Sequence, residues 1–388
     1  MPRGSGTVVV AGSIAQRPQR PGHAWVFLQY LLGFRRLGWD VLFLDRLTSQ
    51  MSAGSDGNGE GPESWAVHTE WLERMMAHAG LEAAYSLELP DRSRLGLDRA
   101  TVERMVRRAD LLLDVNGFLA DDDLLSMTPL PVFLDIDPGF NQMWRELGLA
   151  DVLSGHDAFV TVAQRMGQPD CTIPTCGLSW ITSLPPVVLD QWPVVPPRPE
   201  GALTTIATWR GPFGPVDYDG KTYGLRVHEF RRFMELPKMT GQRFELALDI
   251  DGADHADIEA LRTNGWTLVD PTVVSADLGT YQRYIGGSMA EFSVAKSMYV
   301  RSGSGWISDR TACYLAMGRP VVVQETRADG VASRDVGMLT YSTLEQARWA
   351  VDAVRVGFKE HAAAARAIAV ETFDSQRVLA GLLTALGV

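Results

Sequence analysis

Ser302–Gln324, SGSGWISDRTACYLAMGRPVVVQ, decides the reading of the fold. Ser302, Gly303, Ser304 and Gly305 predict a loop whose backbone a ligand can approach closely. Ser308 or Asp309 can cap the helix that follows. Gly318 ends that helix, Pro320 blocks its continuation, and PVVVQ reads as a buried strand. A helix start offers free N–H groups and a partial positive charge, which together suit a phosphate. Near the other end of the chain, VVVAGS, a polar loop and Pro21-Gly22-His23 predict a second strand, turn and helix. Two nucleotide-fold domains facing each other are expected.

The same alternation runs outward from both stretches. Thr7–Ala11 reads as a parallel strand ending in Gly12-Ser13. Gly22–Leu37 has helical spacing, with Trp25, Leu28, Leu31, Leu32 and Leu37 on one face, and Trp39–Leu44 is the next strand. Residues 49–63 are Gly/Ser-rich and predict a mobile loop. Ser64–Gly80 reads as a helix, and Leu111–Val115, Pro131–Ile136 and Phe159–Val162 as strands. Ligands of such sheets bind beyond the carboxyl ends of the strands. That rule gathers Gly12, Ser13, Asn116, Asp137 and Gln164 along one edge.

Residues 185–200 carry six prolines and read as a stiff connector. A second alternation follows. Leu203–Thr208 leads into Trp209-Arg210, and Phe244–Ile250, Trp266–Val269 and Ala290–Val294 are further strands. Tyr223–Leu236, Asp257–Asn264, Leu278–Gly286, Thr343–Val356, Lys359–Thr372 and Ser375–Leu386 read as helices. The expected fold class is α/β, with two Rossmann-like domains facing across a cleft. They span residues 1–185 and 201–372, joined by a linker at 186–200, with a terminal helix in 373–388 packing back on the first.

Composition narrows the class. At 388 residues, two domains are expected. The net charge of −11, from 36 Lys+Arg against 47 Asp+Glu, argues against nucleic acid as a partner. The three cysteines, Cys171, Cys176 and Cys313, suit free thiols in a reducing compartment. No apolar run reaches the ~18–20 residues that span a bilayer. VVVA is cut by Gly12 and Ser13, too short for a signal peptide. A cytoplasmic monomer or homodimer without membrane insertion is expected.

Two such domains, a proline-rich hinge and terminal helices resemble the GT-B glycosyltransferases. Gly305-Trp306-x-Ser308, Leu315, Gly318, Pro320 and the strand ending in Gln324-Glu325 are similar to the donor motif of family 1, the natural-product type. The resemblance implies a diphosphate held by Ser304, Gly305, Trp306 and the helix start at Ser308 and Asp309. It implies a sugar held by Gln324 and Glu325, here reversed in order. The ribose-gripping glutamate of that family has no counterpart, and Glu325 and Asp309 are the acidic substitutes. Gly22-His23 stands where many members carry a catalytic histidine. The implied activity is hexosyl transfer from a UDP- or dTDP-linked sugar to a hydroxyl of a small-molecule acceptor, with no cofactor.

Residue chemistry fills in roles. An inverting transferase needs a base, and His23 titrates near working pH. Asp114 or Asp137 would hold its imidazole. Arg210 or Arg310 would add charge at the leaving diphosphate. Gly12, Ser13, Trp209 and Lys296 stand at strand ends where the donor would lie. Trp25, Phe140 and Trp144 would wall a planar acceptor, with Asn141 beside them. Asp135-Ile136-Asp137 and Asp249-Ile250-Asp251 are DxD patterns whose alternation points each pair to one side. The helix dipole already offers charge neutralisation, so no metal is expected. Alternative readings are a sugar-nucleotide 2-epimerase of the same fold and a non-catalytic sugar-nucleotide binder. An NAD(P) oxidoreductase ranks below them, because no GxGxxG follows the first strand.

Overall fold

Runs of Val, Leu and Phe, buried on both faces, build two sheets. The computed structural model describes residues 5–52, 62–211, 213–328, 330–331 and 335–388. The strands of the first sheet are β1 (Thr7–Ala11), β2 (Asp40–Arg46), β3 (Tyr85–Glu88), β4 (Arg94–Gly96), β5 (Leu111–Val115), β6 (Pro131–Asp135), β7 (Ala158–Thr161) and β8 (Trp180–Thr182). They lie in the order β4-β3-β2-β1-β5-β6-β7-β8, parallel except at the β3–β4 edge. Val8 pairs with Val41 and Leu111, which puts β1 at the centre. The second half begins with β9 (Leu203–Thr208) and a hairpin of β10 (Val216–Tyr218) and β11 (Lys221–Tyr223). It continues with β12 (Phe244–Asp249), β13 (Trp266–Val269), β14 (Ala290–Ser293), β15 (Val321–Gln324) and β16 (Met338–Tyr341). The order β13-β12-β9-β14-β15-β16 is parallel throughout. Helices cover the faces of both sheets, as all-parallel sheets require.

The helix α1 (Pro21–Arg36) opens on a proline at its first position, where the missing N–H costs nothing. Trp25, Leu28, Leu31 and Leu32 are buried along it. Gly33 lets the terminal helix Ser375–Leu386 lie against α1: a Cβ there would stand 2.5 Å from Leu379 Cδ1. The chain between β8 and β9 forms a single bridge, Val187 with Asp374. None of the helices in the described residues is long and apolar enough to cross a membrane.

Several expectations shift in detail. Tyr223–Leu236 does not form one helix. Tyr223 ends the hairpin, a helix runs Arg226–Phe230, and a second runs Leu236–Thr240. Pro237 sits in the first turn of that second helix, where a proline is tolerated, and could not continue the first. β16 separates the 325–337 stretch from the helix Leu344–Val356 and was not expected. The predicted loop at 49–63 lies, over 53–61, outside the described residues, and Ser49–Ser52 and Pro62–His78 flank it as helices.

Gly12 serves packing. A Cβ there would stand 2.5 Å from the Phe27 ring and 2.8 Å from the Phe43 ring, and its amide donates to Leu44 O. It is buried, so the expected donor contact gives way to close packing of α1 on the sheet. Gly12→Ala should lower unfolding free energy by about 1–3 kcal/mol, the usual cost of overpacking. Urea denaturation measures it, and an unchanged midpoint would reject this reading.

Candidate active site

The carboxyl edges of the two sheets meet, and the turn after β6 bridges them. Asp135, fully buried, accepts the Asp137 N–H at 3.3 Å, Gln142 Nε2 at 2.7 Å and Thr161 Oγ1 at 2.9 Å. These bonds fix the turn Asp137-Pro138-Gly139. Gly139 takes φ 105°, and a Cβ on it would meet Met298 Sδ at 2.5 Å. The turn therefore abuts the Ser297–Ser302 helix of the other half.

Asp137 crosses the cleft at that point. It accepts from Lys296 Nζ at 2.7 and 2.8 Å and from the Tyr299 hydroxyl. The Lys296 ammonium also lies 5.1 Å from the Phe140 ring centre and 5.4 Å from that of Tyr299. Two further cations sense the same carboxylate. Burial and Arg20 lower the pKa of Arg17, while Asp137 raises it. Burial and Arg310 bring Arg226 down to about 10, opposed by Glu291 and Asp137. Arg226 is 9% exposed, its Nη1 donates to Val294 O, and its Nε has no partner among the described residues. One carboxylate is thus shared by Lys296 and Tyr299, and its charge reaches Arg226 and Arg17.

His23 lies in the first turn of α1. Its Nε2 sits 2.9 Å from Ser13 Oγ and 3.1 Å from Ser13 O. A carbonyl only accepts, so Nε2 carries the proton and Nδ1 keeps the lone pair. Phe27 and Phe118 stand edge-on to the ring at 5.1 and 6.5 Å. Burial, then Arg17, pulls its pKa down to about 3, and the bond to Ser13 opposes them only in part. Neither proposed carboxylate orients it. Asp114 accepts Leu119 N–H at 2.9 Å and pairs with His156 at 3.3 Å. Asp137 is held by Lys296. Both expectations are corrected: each carboxylate has a stronger partner elsewhere.

In the second half, Ser308 precedes the helix Asp309–Ala316 but makes no side-chain cap, and its hydroxyl stands 3.5 Å from Asp309 Oδ1. Ser308, Thr311, Ser293, Gln324, Glu325 and Thr340 line a small pocket at this helix start, with Ala295, Ile307, Val323 and Met338 as its apolar walls. Gln324 is already spent, accepting Ala295 N–H at 3.1 Å and donating to Glu229 at 2.7 Å. Glu325 accepts the Arg327 N–H. Trp306 stacks on Tyr299 at 4.2 Å and lines this pocket. Ser304 is buried, and its hydroxyl accepts the Trp306 N–H at 3.2 Å. Gly305 has φ 72°, and a Cβ on it would meet Arg165 Cγ at 2.8 Å. The loop faces the first half: Arg165 N–H donates to Ser304 O and Thr172 N–H to Ser302 O. Ser304 and Gly305 therefore dock the two halves instead of presenting backbone to a ligand.

Other residues sit away from the expected place. Trp209 is 1% exposed and donates to Asp257 at 2.9 Å, as part of the second core. Arg210 forks onto Asp254 on the exterior. Arg310 is consumed by Glu291 at 2.8 Å, Ile206 O at 2.7 Å and Ser293 Oγ at 2.9 Å. Phe140 and Trp144 pack with Phe213 of the second half, at 5.5 and 4.9 Å, in a seam between the halves. Asn141 lies beside them in the first turn of the helix Phe140–Glu146. Trp25 is not in that seam: it packs on Trp192 at 5.0 Å and lines a separate cavity. The DxD carboxylates diverge. Asp135 is turned inward, Asp249 pairs with Arg20 across the cleft at 2.8 Å, and Asp251 caps a turn at Ala253. Among the described residues no three His, Cys, Asp or Glu side chains gather to hold a metal.

No family model matches the chain, and no curated protein matches its sequence. Solved structures do match in shape. An α-glucosyltransferase in complex with UDP and a 13-mer DNA containing a central A:G mismatch gives a TM-score of 0.60 at 10% identity, over 99% of this chain and 100% of that one. HepE of Anabaena in complex with UDP and glucose gives 0.55 at 8%, over 98% and 99%. AviGT4, a glycosyltransferase involved in avilamycin A biosynthesis, gives 0.53 at 13%, over 98% and 96%. At such identities the likeness shows the fold: the chain is a GT-B fold, two Rossmann-like halves about a cleft.

Proposed function

We propose that this GT-B protein transfers a hexosyl group from a UDP- or dTDP-linked sugar to a hydroxyl of a small-molecule acceptor. The observation that carries the reading is the set of donors shared by Asp137. Lys296 and the Tyr299 hydroxyl converge on one carboxylate between the halves, its charge felt by Arg226 and Arg17, beside the small pocket at the Asp309–Ala316 helix start. A diphosphate is the ligand that such a set fits best, because it carries several negative oxygens. In this reading the sugar nucleotide displaces Asp137 from Lys296. Neutral at working pH, His23 keeps Nδ1 free to take the acceptor proton, which favours inversion. UDP in the similar α-glucosyltransferase and HepE structures supports a nucleotide-sugar donor. One of them holds DNA, but a net charge of −11 supports a small acceptor here. Natural-product glycosylation is the preferred context, given the likeness to AviGT4.

Incubation with UDP- and dTDP-hexoses and a panel of phenols and alcohols, followed by 31P NMR and mass spectrometry, tests the proposal. Acceptor-dependent release of nucleoside diphosphate with a glycosylated product is expected. Isomerised or hydrolysed donor without an acceptor product would favour the 2-epimerase reading, and binding without turnover a non-catalytic binder. Transfer should also survive exhaustive chelation, because Lys296 supplies positive charge at the leaving group. A loss that magnesium or manganese reverses would contradict that.

A further inference from the structure

We propose that His68 and Asp45 are positioning residues: they clamp the turn after β1 from two sides and so hold Ser13 and Arg17 around His23. The inference rests on the reading of His23 as the acceptor base. The chain leaves β1 for α1 through a turn that is buried at its start, with Ser13, Ile14 and Ala15 each 0% exposed. Buried backbone groups need partners. Gly12 N–H finds one in Leu44 O, at the end of the sheet. Ala15 finds both of its partners in side chains. Its N–H donates to Asp45 Oδ2 at 2.6 Å, and its carbonyl lies 2.7 Å from His68 Nδ1. A carbonyl only accepts, so His68 carries a proton on Nδ1. The other Asp45 oxygen accepts Gln16 Nε2 at 3.1 Å and the Arg46 N–H at 2.7 Å. Both clamping side chains are buried, and they come from separate elements, β2 and the helix Pro62–His78.

The clamp stands next to the groups that set the state of the imidazole. On one side of Ala15 is Ser13, whose hydroxyl and carbonyl face His23 Nε2. On the other is Arg17, whose N–H turns back to Ile14 O at 3.3 Å. Ser13 O fixes the tautomer of His23, and Arg17 is the charge that lowers its pKa beyond the effect of burial. Without the His68 bond, Ala15 O is a buried acceptor that has lost its donor, and the turn relaxes toward water to satisfy it. Ser13 and Arg17 move with the turn, and the ring gains solvent. Both changes raise the imidazole pKa toward its ordinary value. A loss of global stability alone does not, because molecules that remain folded keep the turn and titrate as before. Asp45 titrates as well, since burial raises its pKa to about 7 against the bonds it accepts. It is common to every variant compared below, so differences among them report the His68 bond.

The test follows the histidine ring nitrogens of the full chain by nitrogen NMR, with His23 assigned through His23→Gln, in parallel with transfer kinetics. In the unaltered chain His23 should stay in its neutral Nε2–H form down to about pH 4. In His68→Leu its midpoint should rise by about one pH unit or more. Turnover should fall about ten- to hundredfold, the loss expected when a catalytic group is displaced, with KM for the donor changed less than about threefold. His68→Asn, which keeps an N–H near the same place, should restore the low midpoint and most of the turnover. His68→Ala takes the place of His68→Leu if circular dichroism shows the latter unfolded. An unmoved His23 midpoint in the variant that lacks the donor would overturn the proposal, whether or not the protein transfers sugar. A raised midpoint with unchanged turnover would overturn it too, as would a midpoint in His68→Asn as high as in His68→Leu. A raised midpoint that His68→Asn restores, in a chain that transfers no sugar, would support the clamp and reject the transferase reading instead.

Discussion

Lys296→Ala is expected to lower transfer turnover about 10²–10³-fold, the usual loss when one preorganised group facing a developing anion is removed. Lys296 lies at the carboxyl edge of β14, with its ammonium 2.7 Å from a carboxylate of the opposite half. In the proposed complex that ammonium faces the leaving diphosphate. Asp137→Asn should act in the opposite direction on binding. It removes the charge that competes with the ligand, so nucleoside diphosphates should bind about tenfold more tightly, one charge-assisted hydrogen bond being worth ~1.5–3 kcal/mol. Opposite signs from two partners 2.7 Å apart distinguish a shared anion site from a merely structural ion pair. In a structural pair, both substitutions would lower stability and neither would raise affinity.

His23→Ala should lower turnover about 10²-fold. General-base catalysis spans ~10²–10⁴-fold, and this histidine belongs at the lower end. Burial has made it a weak base, and no carboxylate among the described residues is bonded to it to stabilise its cation. The pH profile carries the sign. An imidazole lowered from 6.5 to about 3 in the free protein is neutral, and competent, throughout the range above about pH 4. The acid limb of kcat/KM should therefore fall well below pH 6, not at the ordinary imidazole value. His23→Gln should recover little, since an amide can keep the bond to Ser13 O but cannot carry the proton. Near-normal turnover in His23→Ala, with chemistry rate-limiting, would make the histidine a packing residue against Phe27 and Phe118.

Much of the scaffold was legible in the sequence. VVVA and PVVVQ are short, unbroken apolar runs, and Pro21, Gly318 and Pro320 punctuate the helices, so β1, α1, the Asp309–Ala316 helix and β15 could be read locally. The β10–β11 hairpin could not, because strands of three residues are too short to show alternation. The site was harder. Position at a strand end places a residue near the cleft but does not say which way its side chain turns. Arg210 turned outward to Asp254, and Arg310 turned inward to Glu291, whose carboxylate lies 19 residues earlier with no local signal. Lys296 was found by its place after β14, but its partner Asp137 lies 159 residues away. Arg226 was missed because it follows the unread hairpin, and Arg17 because it stands in a polar loop with no period. Tyr299 was missed for want of any pattern in the Ser297–Ser302 helix. Trp25, Phe140 and Trp144 looked alike as aromatics, yet only the fold separates the two that seal the halves from the one that lines a cavity.

Isothermal calorimetry of UDP and dTDP against the unaltered chain, Lys296→Ala and Asp137→Asn decides whether Lys296 and Asp137 mark a diphosphate site. The expected result is saturable binding of at least one diphosphate to the unaltered chain, weakened at least tenfold in Lys296→Ala and strengthened in Asp137→Asn. Failure of both nucleotides to bind, or equal affinity in all three proteins, would contradict it.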